Sequence, residues 1–344
     1  MDFIPVVERT VVVDSAGRPA EQVIEHRTDP LTGTVASLNG ALGEKARAFL
    51  GGGDAEALRA LEASSRAGCP FCAAEEKGTR YPPELVAQGQ LRDGTSIAFP
   101  NLFSKCASDS VVVVDGARHA LFPSKLAPAS LASALRLAAE LVRRNRARDP
   151  SLVHHLAGMN FLQPGGSSVP HPHLQVHVRS VPYSGVARLE KLSAEHRART
   201  GRCYWTSLLA AERDAAVRHV GTTDAVEWIA AWAPSHQKEI WGIRDGVASL
   251  ADLSFTDSEA FAAGIAKVAA SYEEAGSHAF TLAFFSSPWP SASGHFALQA
   301  RICARPAFKP LYASYDTWFG PLFAGDDAHT EAPEDYAAQL RARW

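Results

Sequence analysis

Polar and apolar side chains alternate along Pro170-His171-Pro172-His173-Leu174-Gln175-Val176-His177. A period of two is that of a β-strand, in which successive side chains point to opposite faces of the sheet. The pattern predicts a strand with residues 171, 173, 175 and 177 on one face. Three histidines and a glutamine make a poor core but a usable reaction surface. Just upstream, Gly165-Gly166-Ser167-Ser168 forms a flexible loop whose amides could cradle an anion. A histidine site that handles phosphate is the first hypothesis.

Strand-like patterns and one long amphipathic helix occur in each half of the chain. The helices are predicted at 128–148, with Leu131 and Leu135 on the apolar side, and at 256–274, with Phe261 and Ile265 there. The predicted strands are 6–13, 22–26, 96–103, 110–115 and 154–161 in the first half and 227–234, 239–243, 279–286 and 294–302 in the second. The matching order indicates an internal repeat.

An offset of 124 residues lays the histidine strand over a second copy. The offset places His295 on His171, Ala297 on His173, Gln299 on Gln175 and Arg301 on His177. The middle histidine therefore occurs only once, which singles out His173 as the residue that carries the chemistry, with His177 as a bystander. The repeat predicts two units, residues 1–190 and 191–344. Their expected fold class is α+β, a mostly antiparallel sheet flanked by helices.

The size and charge of the chain exclude several classes of function. Its 344 residues can bury a substantial core, and 34 Lys and Arg against 37 Asp and Glu leave a net charge of -3. No broad basic field is present, so neither a nucleic-acid partner nor an anionic membrane surface is expected. The chain has no long apolar run and no signal-peptide pattern at its start, which favours a cytoplasmic protein.

Two of the five cysteines form the motif Gly68-Cys69-Pro70-Phe71-Cys72, and Cys106, Cys203 and Cys303 are isolated. A C-x-x-C pair is either half of a metal site or a redox pair. The redox interpretation needs a strand before the motif and a helix after it. Here the motif follows a helix-like stretch at 54–67, so metal is preferred. A tetrahedral zinc site would need two further ligands, and histidines are the expected source.

The array Asn160-x7-Ser168-Val-Pro-His171-Pro-His173-Leu-Gln175 resembles the active-site signature of the galactose-1-phosphate uridylyltransferases, in the histidine-triad superfamily. The block Arg27-x-Asp29-Pro30-Leu31-Thr32-Gly33 is similar to the N-terminal block of that family. Asn101, before Leu-Phe, matches the asparagine of its Asn-x-Phe strand. The resemblance covers most of the chain and implies a tandem duplicated histidine-triad-like fold.

The resemblance also implies roles for individual residues. His173 would attack the α-phosphate of a nucleotide and form a covalent nucleotidyl-histidine, while Gln175 donates its amide to a phosphoryl oxygen. Ser168 would assist from the loop. The expected substrate-binding residues are Arg27, Asn101, Asn160, Gly166, Ser167, Lys309 and Tyr315.

Metal, partner and mechanism follow from the same resemblance. Cys69, Cys72, His119 and His171 would hold a structural Zn²⁺ with no open coordination position, and no organic cofactor is expected. The expected reaction is ping-pong transfer of a nucleotidyl group between a nucleotide sugar and a sugar 1-phosphate. The expected assembly is a homodimer.

The chain departs from the family at its C-terminal end. Gln299 and Arg301 stand where many members carry two metal-binding histidines, so a second metal site is not expected. The segment Phe308-Lys309-Pro310-Leu311-Tyr312-Ala313-Ser314-Tyr315-Asp316 corresponds to the family's hexose-phosphate segment Lys-Phe-x-Val-Gly-Tyr-Glu but shifts the lysine and lacks the glycine. The acceptor is therefore open. A nucleotide-sugar or dinucleoside polyphosphate phosphorylase, a hydrolase and a non-catalytic zinc-stabilised nucleotide-binding protein remain alternatives.

Overall fold

A computed structural model describes residues 3–43, 52–291, 294–312 and 314–344, with the side chain of Tyr315 outside the described part. The strands within these ranges are β1 (Val6–Val13), β2 (Pro19–Thr28), β3 (Val35–Leu38), β4 (Leu91–Asp93), β5 (Ser96–Pro100), β6 (Ser108–Val113), β7 (His154–Phe161), β8 (His173–Arg179), β9 (His219–Thr223), β10 (Val226–Ala230), β11 (Ile240–Arg244), β12 (Phe280–Phe285), β13 (Leu298–Ala304) and β14 (Asp327–His329). The α-helices are α1 (Ala55–Arg66), α2 (Ala74–Lys77), α3 (Pro128–Arg148), α4 (Ser184–Thr200), α5 (Tyr204–Ala215), α6 (Phe255–Glu274) and α7 (Pro333–Arg341). Among them, no helix has both the length and the apolar character needed to span a bilayer.

A ten-stranded antiparallel sheet runs through both halves in the order β4-β5-β6-β8-β7-β12-β13-β11-β10-β9. Read outward from the central pair β7 and β12, the two halves have the same strand order. In each half one long helix, α3 or α6, connects the third strand to the fourth. The predicted α+β class and the predicted repeat are both confirmed. The division after residue 190 falls within α4 and stays a prediction.

Helices α3 and α6 pack side by side against one face of this sheet. Leu135 of α3 and Phe261 of α6 are almost fully buried there, and the side chains of Leu174 and Val176 in β8 join the same core. Burying a side chain of this size contributes about 2 kcal/mol. The predicted helix 128–148 is confirmed, and the second predicted helix begins one residue earlier, at Phe255, behind a Ser254 capping box.

The opposite face of the sheet, called here the open face, carries the chemistry-bearing residues. Because side chains alternate along a strand, His173, Gln175 and His177 point away from α3. In β13 the open-face residues are Gln299, Arg301 and Cys303, on the side opposite the buried Ile302.

The predicted histidine strand begins later than its alternation indicated. β8 starts at His173 and runs on to Arg179, whereas His171 lies in a bend before it. Pro170 and Pro172 explain the shift, because a proline has no N–H to donate to a sheet ladder. His171 therefore does not share the strand row of His173. The second copy shifts in the same way, with β13 beginning at Leu298 rather than at 294.

A separate four-stranded sheet has the order β1-β2-β3-β14. β1 forms its edge, and all eight residues of β1 are exposed. Val6, Val11 and Val13 keep 64%, 64% and 62% of their surface accessible. This edge exposes five valines together with Glu8, Arg9 and Thr10, and its outer side pairs with no other strand of the described residues.

Candidate active site and metal centre

Four side chains converge beside the start of β8 with the geometry of a metal centre. The ligand atoms of Cys69, Cys72, His119 and His171 all lie within 4.8 Å of one another. The two imidazole Nδ1 atoms are 3.2 Å apart, and the Cys72 Sγ lies 3.4 Å from Nδ1 of His119 and 3.5 Å from Nδ1 of His171. Tetrahedral Zn²⁺ with its usual bond lengths requires about 3.3 Å between two nitrogens and about 3.5 Å between nitrogen and sulfur. The donor set and its spacing fit a divalent metal.

Hydrogen bonds outside the cluster fix which imidazole nitrogen faces its centre. Nε2 of His171 lies 2.9 Å from the carbonyl oxygen of Asp115, which can only accept. Nε2 of His119 lies 2.9 Å from Oγ of Ser65, whose own hydroxyl donates to the Leu61 carbonyl. Both imidazoles are therefore protonated on Nε2 and turn the Nδ1 lone pair inward. Such outer hydrogen bonds are typical of histidines that ligate metals.

Burial favours the uncharged forms of the side chains in the bare cluster. Burial lowers the pKa of His171 to about 4, which keeps its imidazole neutral. Burial, followed by the neighbouring Cys69 thiol, raises the pKa of Cys72 to about 11. A bound metal ion reverses this second effect, because its charge stabilises the thiolate.

His173 is held in one tautomer by the residue that links it to the cluster. Its Nδ1 lies 2.9 Å from the carbonyl oxygen of His171, so Nδ1 carries the proton and Nε2 carries the lone pair. The ring is 4% exposed and packs edge-on against Phe71 with the centroids 4.9 Å apart. Burial lowers the pKa of His173, which keeps the imidazole neutral and competent to attack.

A cavity of about 390 Å³ lies over His173 and Gln175. Asn101 and Ser168, both predicted site residues, line this cavity too, together with an apolar wall from Phe71, Phe99 and Val169. Its size and its mixed lining suit a small-molecule ligand.

Asp109 and Lys105 were missed by the sequence analysis, and both organise this cavity. The carboxylate of Asp109 is buried and accepts from Nδ2 of Asn101 at 3.3 Å and from Nζ of Lys105 at 3.1 Å. Nζ of Lys105 also lies 3.4 Å from Oε1 of Gln175. With its oxygen engaged, Gln175 has its NH₂ group free to donate. The sequence offered one signal for Asp109, an aspartate that alternates with the valines of the apolar strand β6.

His177 completes the same network. Its Nδ1 lies 2.5 Å from the Tyr183 hydroxyl, and its Nε2 lies 3.5 Å from Oδ1 of Asp109. It does not line the cavity over His173. Its interpretation as a bystander to the reacting atoms stays a prediction.

The glycine-rich loop uses its amides differently from the prediction. The N–H groups of Gly165 and Ser167 donate to the Leu162 carbonyl, and that of Gly166 donates to the Gln163 carbonyl. The predicted amide cradle is therefore not formed by these groups, because the tight turn consumes them. Gly166 adopts a φ of +89°, and a side chain on Gly165 would lie 2.6 Å from the Phe280 carbonyl, so both positions require glycine.

The remaining predicted residues lie in different places. Asn160 is half-buried on the open face of β7, opposite Thr281 of β12. Arg27 forms ion pairs with Glu25 and Glu334 and stacks over Trp232 at 4.3 Å, so its described contacts are in another network. Lys309 follows β13 and does not line the His173 cavity, and the side chain of Tyr315 lies outside the described residues. Their roles stay predictions.

Known structures share this architecture. An ADP-glucose phosphorylase from Arabidopsis thaliana with bound ADP-glucose has a TM-score of 0.68 and 15% identity, over 92% of this chain and 98% of that one. A uridylyltransferase has a TM-score of 0.67 and 18% identity, over 92% and 97%. This chain has the fold of the galactose-1-phosphate uridylyltransferase-like proteins. The predicted resemblance is confirmed at the level of the fold.

Sequence comparison finds a relative of higher identity than these structures. An uncharacterized protein from Archaeoglobus fulgidus is 28% identical over 346 residues, which cover 100% of this chain and 99% of that protein. No family model matches the chain.

Proposed function

We propose that this protein is a nucleotidyltransferase that works through a covalent nucleotidyl-His173 intermediate. The observation that carries the proposal is the hydrogen bond from Nδ1 of His173 to the His171 carbonyl, which leaves Nε2 as the nitrogen with a lone pair. The lowered pKa of His173 keeps that nitrogen unprotonated at neutral pH. A neutral, oriented imidazole at the base of a cavity is a suitable nucleophile for phosphorus.

The reaction then takes two displacements. Nε2 of His173 attacks the α-phosphorus of a nucleotide donor, an N–P bond forms, and the bond to the leaving phosphate oxygen breaks. The NH₂ group of Gln175 donates to a non-bridging oxygen, where negative charge develops. In the second step an acceptor phosphate attacks the same phosphorus and releases the neutral imidazole. Asn101, Asn160, Ser168 and the remaining loop residues would orient the nucleotide.

We propose Zn²⁺ as the ion of the metal centre, because two thiolates and two imidazoles are its usual donor set. Four protein ligands leave no position for water, so the role would be structural. When bound, the ion would fix the His171 ring, and the His171 carbonyl would in turn hold the tautomer of His173. The proposal needs no organic cofactor.

Two acceptors are candidates. A sugar 1-phosphate makes the protein a uridylyltransferase-like enzyme that converts one nucleotide sugar into another. Inorganic phosphate makes it a phosphorylase, and one observation favours this second candidate. The C-terminal segment departs from the hexose-phosphate pattern around Lys309, whereas the fold is shared by an ADP-glucose phosphorylase and a uridylyltransferase alike.

Trapping the intermediate tests the proposal. The protein is incubated with UDP-, ADP- and GDP-sugars labelled in the α-phosphate, and an acid-labile, base-stable adduct is expected in the wild type. His173→Ala should lose the adduct, whereas Lys191→Ala, on the exposed face of α4, should retain it. The absence of an adduct with every donor would refute the proposal. Release of the label by phosphate, by sugar phosphates or by water then ranks the reactions.

We also propose a homodimer. The exposed edge strand β1 supports it, since five of its eight residues are valines and an edge so rich in apolar side chains is normally covered. Sedimentation velocity should give twice the chain mass for the wild type and the chain mass for Val11→Lys. Val217→Lys, at a 46% exposed valine elsewhere, is the matched control and should stay dimeric. A monomeric wild type would contradict the proposal.

A further inference from the structure

One row of open-face residues links the two halves of the main sheet. Gln175 of β8 pairs with Gly158 of β7, Gly158 with Ala283 of β12, and Ala283 with Arg301 of β13. Residues paired directly across antiparallel strands point to the same face. The row therefore runs from the site over His173 to Arg301, across three strand spacings of about 4.8 Å each, or about 14 Å.

The two residues in the middle of this row are small and partly exposed to solvent. Gly158 has no side chain and Ala283 has only a methyl group, and both residues keep partial exposure, as do Gln175 and Arg301 at the ends. A side chain at 158 would lie 2.7 Å from the Leu282 carbonyl, so the position must be glycine. The two small residues form the floor of a trough between the halves.

Arg301 stands at the far end of the trough, in a cavity of about 300 Å³ that Thr281 and Ala283 also line. Its guanidinium lies 4.0 Å from the ring centroid of Trp241 and 4.6 Å from that of Phe285. Nε and Nη2 donate to Oε1 of Gln299 at 3.0 and 2.7 Å. Among the described residues, Nη1 has no acceptor and no carboxylate lies within ion-pair distance.

Arg301 is only partly exposed, and the acids whose charges act on it, Glu239 and Asp29, form no ion pair with it among the described residues. Glu239, which lines the same cavity, instead accepts from Nε1 of Trp241 at 2.5 Å and from the Ser235 amide at 2.7 Å. Holding Gln299 in place needs only a neutral donor. The fixed charge and the free fork of N–H groups instead match a phosphate, which arginine binds through two parallel hydrogen bonds.

We infer that Arg301 forms a second anion subsite, which binds a distal phosphate of a nucleotide whose α-phosphate lies at His173. The inference rests on the proposed nucleotidyl transfer and narrows its donor. The trough fits a donor whose leaving portion carries further negative charge, as in a dinucleoside polyphosphate. A nucleotide sugar with a neutral hexose would place no negative charge at the free Nη1 of Arg301.

Binding measurements in a His173→Ala background test this without any turnover. The full-length protein is titrated with diadenosine tetraphosphate and with ADP-glucose, and then with the corresponding uridine pair. Adding Arg301→Gln should weaken binding of the tetraphosphate at least tenfold and that of the nucleotide sugar less than twofold. Arg301→Lys, which keeps the charge, should recover part of the loss.

A second variant tests the trough and does not depend on Arg301. Ala283→Leu fills its floor but leaves both ends intact, so it should weaken only the long ligand. Three outcomes would each overturn the subsite. The first is an equal loss of affinity for both ligands, and the second is an unchanged tetraphosphate affinity in Arg301→Gln and Ala283→Leu. The third is that neither tetraphosphate binds. If the wild type still forms the adduct in such a case, only the subsite fails. If no adduct forms, the proposed function fails as well.

Discussion

The two halves of the main sheet have the same frame and different open faces. In each half a glutamine stands on the fifth strand, β8 or β13, and a cation holds its oxygen. Lys105 approaches Oε1 of Gln175 at 3.4 Å, and Arg301 donates to Oε1 of Gln299 at 2.7 Å. Two residues before the glutamine, however, the first half has His173 and the second has a buried Ala297.

What covers each face explains the difference. The face of the first half is bordered by the short segment that carries Cys69 and Phe71, which packs on Phe99 and leaves the cavity over His173. Around Ala297, the corresponding face of the second half is covered by α4 and α5, with Trp205 packed among the buried residues of β10 and β11. The duplicated frame thus leaves a cavity over His173 in the first half and a buried apolar cluster around Ala297 in the second.

Loss of the metal centre, which only the first half has among the described residues, should have the largest effect on the protein. Cys69→Ser combined with Cys72→Ser should abolish binding of one zinc ion per chain and lower the free energy of unfolding by about 3 kcal/mol or more. Zinc content and urea unfolding measure both. Cys106→Ser with Cys203→Ser should retain the metal, and metal-free wild type of full stability would contradict the prediction.

Replacing the glutamine of the first half should have the next largest effect, on the rate of adduct formation. Gln175→Ala should slow adduct formation about 100-fold, because it removes a donor to the developing charge. Gln299→Ala, at the corresponding position of the second half, should leave the rate of formation from a nucleotide sugar within a few-fold. Rapid-quench measurement of the labelled adduct compares them. An equal loss of rate in the two variants would show that Gln175 has no role in the reaction that Gln299 lacks.

Lys105 should act by positioning Gln175. Lys105→Ala should lower the rate of adduct formation about tenfold, whereas Lys105→Arg should restore part of it. The loop itself should persist, since the backbone N–H of residue 105 also donates to Asp109 at 3.1 Å. Unchanged thermal unfolding separates this from a structural defect, and an unaltered rate in Lys105→Ala would remove the residue from the mechanism.

The smallest expected effect concerns the junction of the halves. His155 of β7 is buried, with Nε2 lying 2.7 Å from the Ser286 hydroxyl beyond β12. Burial lowers its pKa from 6.5 to about 4 in the folded protein. As pH falls below 6.5, the unfolded chain takes up this proton and the folded chain does not, so stability is lost between pH 6.5 and about 4.

This linkage amounts to about 1 kcal/mol between pH 8 and pH 5.5. Urea unfolding at both pH values should show the loss in the wild type and a smaller one in His155→Leu. Because the other titratable groups are the same in both proteins, the difference between their two stability losses isolates the contribution of His155. An identical pH dependence in both would exclude His155 as its source.

Local signals predicted much of the molecule. The helix at 128–148 was readable because its apolar residues recur at helical spacing, and the repeat was readable because both halves keep the same order of elements. The C-x-x-C spacing of Cys69 and Cys72, together with the helix-like stretch before it, favoured a metal site over a redox pair. In contrast, the start of β8 was misplaced, because alternation continues through Pro170 and Pro172 although neither can join a ladder.

The sequence by itself determined the residue types available for chemistry: His173 and His177 on the repeated strand, a C-x-x-C pair and a glutamine in each half. Only the tertiary structure decided which of them meet. Lys105 and Asp109 are near each other along the chain, but Gln175 is 70 residues from Lys105, and their contact depends on the pairing of β6 with β8. The use of the loop amides and the row that ends at Arg301 were also hidden, because hydrogen-bond partners and strand register are set by long-range packing rather than by local pattern.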